Sequence, residues 1–146
     1  MSAASPLRVT VQRASRASHI PSDAKLRRWA RAAAAAGEVT LRYVAEAEAR
    51  RANREFRGRD YATNVLSFPY GAPGRPAQGD ILVCAPVVAR EAREQGKEVE
   101  AHHAHLVVHG VLHLRGYDHE RGAADARRME SLERRILAKL GFPDPY

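Results

Sequence analysis

A chain of 146 residues is long enough for one hydrophobic core and too short for two ordinary ones, which predicts a single domain over residues 1–146. Its 45% hydrophobic and 28% charged residues fit a soluble globular protein, and no run approaches the ~18 apolar residues that a membrane span needs. The net charge of +7 favours polyanionic partners, nucleic acid before an acidic membrane surface.

Lys25, Lys97 and Lys139 are the only lysines among the 24 basic residues; the rest are Arg, whose planar fork suits phosphates and stacks on bases. The lone Cys84 rules out a disulfide framework and a Cys-based zinc site, and reads as a small apolar residue at a strand end. Met1-Ser-Ala-Ala-Ser-Pro6 has no basic region leading into an apolar run, so no signal peptide is visible and a cytoplasmic location is expected.

In chain order, Leu7 to Gln12 alternates apolar with polar residues as a first strand does. Ser22 is a helix cap, with Asp23 favourable in the first turn of a helix running to Ala36. Leu26, Trp29, Ala30 and Ala33 form its inward stripe, and Gly37 is read as its stop. Val39 to Val44 alternates again. Ala45 to Phe56 reads as a charged amphipathic helix with Ala49, Ala52 and Phe56 inward.

Val65, Leu66 and Phe68 predict a short strand that Pro69 confines to an edge. The Gly- and Pro-rich stretch 71–79 reads as a mobile loop, and Gly79 to Cys84 as a fourth strand. Pro86 opens a helix that Gly96 ends after Gln95. Arg121 to Leu140 is the last helix, with Ala126, Met129, Leu132, Ile136 and Leu140 on one face, a Glu130–Arg134 pair on its solvated side and Gly141 as terminator. The fold class is α+β: one mixed sheet of about four strands, about five helices, and a buried histidine helix beneath the sheet.

That helix carries the chemistry. Six of the seven histidines lie between 102 and 119, and Ala104 to Leu114 contains no formally charged residue, so the helix is apolar nearly all round. Burying imidazoles among Val and Leu is costly unless they are paired or ligate something. His109 and His113 are i and i+4 and share one face. Gly116 can take the left-handed conformation that ends a helix, and a returning chain presents His119 as a third donor. Three neutral imidazoles with one open position are the pattern of a catalytic zinc site, the open place going to water or substrate. Zinc peptidases of this spacing carry Glu directly after the first His as general base; here that residue is Gly110, which disfavours peptidase chemistry.

His105, four residues before His109, is the rival donor and is assigned to a supporting shell or the substrate cleft. His102 extends the same row toward solvent, and His103 is read as surface. Arg57, Arg59 and Arg115 are candidate cations for a phosphoryl group carrying more charge than one metal neutralises.

The string HGVLHLRGYDHE, with AHHAHLVV before it and ATNVLSFP and GDILVC upstream, resembles the YbeY family of bacterial rRNA maturation factors and endoribonucleases. The resemblance runs from Val39 to Tyr146. It implies a zinc ion on His109, His113 and His119, and single-strand-specific RNA cleavage in 16S rRNA 3′-end maturation and 70S ribosome quality control. It further implies the small ribosomal subunit and its assembly proteins as partners.

The family pattern Asn-x-x-aromatic-Arg is met by Asn53-Arg-Glu-Phe56-Arg57, which marks Arg57 as a phosphate clamp, with Arg59 next. The same resemblance makes Asn64 and Ser67 candidate RNA contacts, as their strand borders the cleft. Asp118 orients a ligand imidazole or acts as base; capping the final helix is its structural alternative. Both water and the RNA 2′-hydroxyl stand open as nucleophile. The competing functional class is a ribosome assembly factor whose zinc is mainly structural and whose cleavage is weak or partner-dependent.

Overall fold

The computed structural model describes residues 6–71 and 76–146. The predicted mobile loop at 71–79 falls partly outside that range: residues 72–75 are not described, and the rest is taken up below. The chain forms β1 (Arg8–Ala14), α1 (Asp23–Ala33), β2 (Gly37–Val44), α2 (Glu46–Arg57), β3 (Val65–Pro69), β4 (Ala77–Val83), α3 (Ala85–Gln95), α4 (Val99–Leu114) and α5 (Ala123–Leu140), with a 3₁₀ turn at His119–Arg121. The strands make one mixed sheet in the order β1-β2-β4-β3. β1 and β4 flank β2 in parallel, and β3 is an antiparallel edge strand on β4. Pro69 ends that edge strand, where its missing N–H costs no central ladder bond.

Ser22 caps α1 by accepting the Lys25 N–H, and Leu26, Trp29, Ala30 and Ala33 are its buried face. The helix ends at Ala33, three residues short of the predicted end at Ala36, because Ala34 is already extended. Gly37 is the first residue of β2, where its φ of +123° and close packing leave a Cβ 1.9 Å from the Ala77 carbonyl oxygen. Gly79, read as a loop end, lies inside β4 for a similar reason: a Cβ would stand 2.2 Å from the Phe68 carbonyl oxygen. β4 therefore starts at Ala77.

On α2 the inward residues are Ala49 and Asn53; Phe56 is 67% exposed, not core as predicted, and stacks edge-on against Phe68 at 5.1 Å. α5 starts at Ala123, later than the predicted Arg121, because Gly122 (φ +144°) separates it from the 3₁₀ turn. The predicted Glu130–Arg134 pair does not form among the described residues; Arg134 bonds Asp144 at 3.1 Å.

α4 packs on β3, β4, α1, α3 and α5, with ten of its sixteen residues buried. Gly110 lets it lie close to the sheet: a Cβ there would sit 3.0 and 3.1 Å from Ile81 side-chain atoms and 3.2 Å from Ser67 Oγ. The helix ends in a Schellman turn, with Gly116 at φ +100°, its N–H on the His113 carbonyl and the Tyr117 N–H on that of Leu112.

His103 is completely buried, not on the surface as predicted, because the hydroxyl of Tyr43 on β2 meets its Nδ1 at 2.9 Å. Burial, with the charges of His102 and His19 adding, pulls its pKa from the ordinary 6.5 to about 4. The unfolded chain thus takes up this proton first. The stability held through neutral His103 is complete above about 6.5 and falls as pH moves from there toward 4. Between about pH 7 and pH 5, metal-free protein should lose roughly 2 kcal/mol from this residue. Urea unfolding at the two pH values checks this: a Tyr43→Phe/His103→Leu double variant should show a visibly flatter pH dependence, and an equal slope in both proteins would reject the assignment.

Candidate active site

His109 and His113 occupy successive turns of α4, and the chain's reversal at Gly116 carries His119 back on the 3₁₀ turn. All three line one cavity of about 230 Å³, walled also by the end of α2, the 59–64 segment and β3. The His109 and His119 rings stand 5.1 Å apart, tilted by 54°. Among the described residues, no three His, Cys, Asp or Glu side chains stand close enough together to hold a metal ion as placed, the rings of His109, His113 and His119 included. His113 is half-buried, and its Nδ1 is buried without a hydrogen-bond partner. Desolvation holds its pKa below the ordinary value and so favours the neutral ring that a metal requires. Three imidazoles on one cavity, one of them with an orphaned nitrogen, have the donor chemistry of a borderline-soft divalent ion such as zinc.

The positive side of the cavity comes from Arg57 and Arg59. Arg57 ends α2 and donates to Glu120 at 3.4 Å across the opening; Arg59 reaches the Tyr61 hydroxyl at 3.5 Å. Asn64 and Ser67 form part of the β3 wall. Asn64 is fixed at both ends of its amide: Oδ1 accepts the Val65 N–H at 2.6 Å, and Nδ2 donates to Glu91 at 2.9 Å. Asp118 accepts the Glu120 N–H at 2.8 Å, which caps the 3₁₀ turn and holds its carboxyl below the usual carboxylate range.

Three candidates from sequence, Asp118, His105 and Arg115, are not part of the cavity wall, and His102 differs from its expected setting. His105 shares the face of His109, but one turn earlier that face is closed by α5, where its Nε2 meets Glu133 at 2.7 Å. Arg115 turns to the far side: it donates to the Ala33 carbonyl at 2.8 Å and lies over the Tyr117 ring. His102 is buried, 5% exposed, rather than extending toward solvent, because its Nε2 finds Glu91 at 2.9 Å.

Sequence reasoning passed over Glu133, which is fully buried and bonds both His105 and His109. The signal was present: an acid at 133 between Met129 and Ile136 interrupts the inward stripe of α5. The carboxyl is held at a pKa of about 2, as hydrogen bonds from the two histidines outweigh the burial that would raise it. Asn53, buried on α2 and bonded to the Tyr61 carbonyl at 2.9 Å, also lines the cavity. No described helix is long and apolar enough to cross a membrane.

Known proteins are similar to this chain over nearly its whole length. A protein from Aromatoleum aromaticum named Endoribonuclease YbeY is 57% identical over 148 aligned residues, covering 99% of this chain and 95% of that protein. One of the same name from Alkalilimnicola ehrlichii is 59% identical, covering 87% and 82%. The solution structure of a Thermotoga maritima protein superposes with a TM-score of 0.60 at 27% identity, covering 91% of each chain. The family model described as Endoribonuclease YbeY matches residues 11–141, and with these relatives it shows that the chain belongs to the endoribonuclease YbeY family.

Proposed function

We propose that the protein is a zinc-dependent endoribonuclease specific for single-stranded RNA. It acts on rRNA in 16S 3′-end maturation and 70S ribosome quality control, with the small ribosomal subunit and its assembly proteins as partners. The observation that carries this reading is the sharing of one cavity by His109, His113 and His119 with Arg57 and Arg59. The relatives' name supports RNA as the substrate.

His109, His113 and His119 would hold a single zinc ion. When bound, such an ion polarises a phosphoryl oxygen and makes a bound water more acidic. Arg57 and Arg59 bind the phosphate and offset its charge, and their planar forks fix its orientation. Asn64 and Ser67 contact the strand beside the scissile bond. Asp118, kept ionised by the Glu120 backbone, favours a properly oriented imidazole next to it.

The test is cleavage of an unstructured RNA by purified protein, with and without chelator, followed by zinc re-addition. Cleavage should vanish with the metal and return with zinc, and casein should stay intact. Cleavage that persists in chelator would reject the metal mechanism. A folded, zinc-loaded protein that binds ribosomal subunits and cuts nothing would favour the assembly factor with a structural zinc.

A further inference from the structure

The geometry points to Glu133 as the residue that sets which nitrogen of His109 is free to bind a metal, an inference that rests on the zinc reading above. Its carboxylate is fully buried between α4 and α5. Oε1 meets His105 Nε2 at 2.7 Å and His109 Nδ1 at 3.2 Å, and the Tyr146 hydroxyl donates to both oxygens at 3.1 Å. A buried carboxylate needs donors, and an ionised one can only accept.

Each facing imidazole nitrogen must therefore carry its hydrogen toward Glu133. For His105 this means Nε2–H, in keeping with its buried Nδ1, which has no partner. For His109 it means Nδ1–H, which leaves the lone pair on Nε2. The ring itself is part of the cavity wall. An imidazole without such an acceptor has no reason to hold this tautomer, since the bond made by one nitrogen decides the state of the other. Glu133 is thus a positioning residue. It touches neither substrate nor ion and acts through His109.

Two readouts on the full chain test this. In metal-free, ¹⁵N-labelled protein at a pH where histidines are neutral, long-range ¹H–¹⁵N spectra should show His109 as Nδ1–H. Glu133→Gln, whose amide can turn an N–H toward the ring, should move His109 toward Nε2–H and weaken zinc binding about 10- to 100-fold in competition with a chromophoric chelator. Glu133→Asp should recover part of both effects, and Tyr146→Phe should leave the tautomer as in wild type. Wild-type His109 found as Nε2–H overturns the inference whether or not any variant folds. So does a folded Glu133→Gln protein with unchanged tautomer and zinc affinity. If the wild type binds no zinc, the proposed function fails, while the metal-free spectrum still decides the role of Glu133.

Discussion

His113→Ala should remove zinc from the purified protein and lower RNA cleavage by about 10³-fold or more, since the transition-state stabilisation a bound metal supplies is worth several kcal/mol. The fold should survive. His113 lies at the edge of the core, and the nitrogen deleted with its ring has no partner in the protein, so lost packing is set against relief of an unsatisfied polar atom. The two effects separate in a thermal melt. Wild-type protein should gain melting temperature on zinc addition, because a ligand that binds only the folded state stabilises it by mass action. The variant should show no gain, and its metal-free melting temperature should lie within a few degrees of wild type. A variant that keeps its zinc and its cleavage would remove His113 from the ligand set.

Arg57→Ala should lower cleavage by about 10²-fold, the usual loss on deleting one charged or hydrogen-bonding group that meets a transition state, with zinc content unchanged. The competing explanation for Arg57 is its ion pair with Glu120, whose side chains are 40% and 61% exposed. Exposed pairs of this kind contribute ~0–1 kcal/mol, so the variant should unfold close to the wild-type midpoint. Magnitude then decides between the two roles. A large loss of activity with little loss of stability assigns Arg57 to phosphate; a large loss of stability, or of metal, returns it to structure. Arg57→Lys should recover part of the activity, because a point charge replaces the guanidinium without its paired donors.

Local pattern was enough for much of the fold. Alternation marked β1 and β2, apolar residues ahead of Pro69 marked β3, the uncharged run marked α4, and Gly96, Gly116 and Gly141 mark helix ends with positive φ. What escaped depends on partners distant in the chain. His103 is buried because Tyr43, sixty residues earlier, meets its ring, and His102 because Glu91 does. Composition alone makes both look like solvent-facing residues. Gly37 and Gly79 looked like punctuation, but they lie in strands where a neighbouring backbone comes too near for any side chain. Phe56 looked like core by spacing, yet at that turn of α2 the inward place belongs to Asn53, a polar residue held by the Tyr61 carbonyl. The grouping of His109, His113 and His119 follows from helical periodicity plus one glycine turn; the Glu133 contact requires knowing that α5 crosses α4.

The crowding at Gly110 limits how this scaffold can change. The peptidase general base would have to grow from the one position where even a single added carbon presses on Ile81 and Ser67. To place a side chain there, Ile81 and Ser67 would have to give by a few tenths of an ångström at the first carbon, and Ser67 is part of the cavity wall. Tight packing under the histidines thus sets a steric cost on gaining a peptidase base at this position.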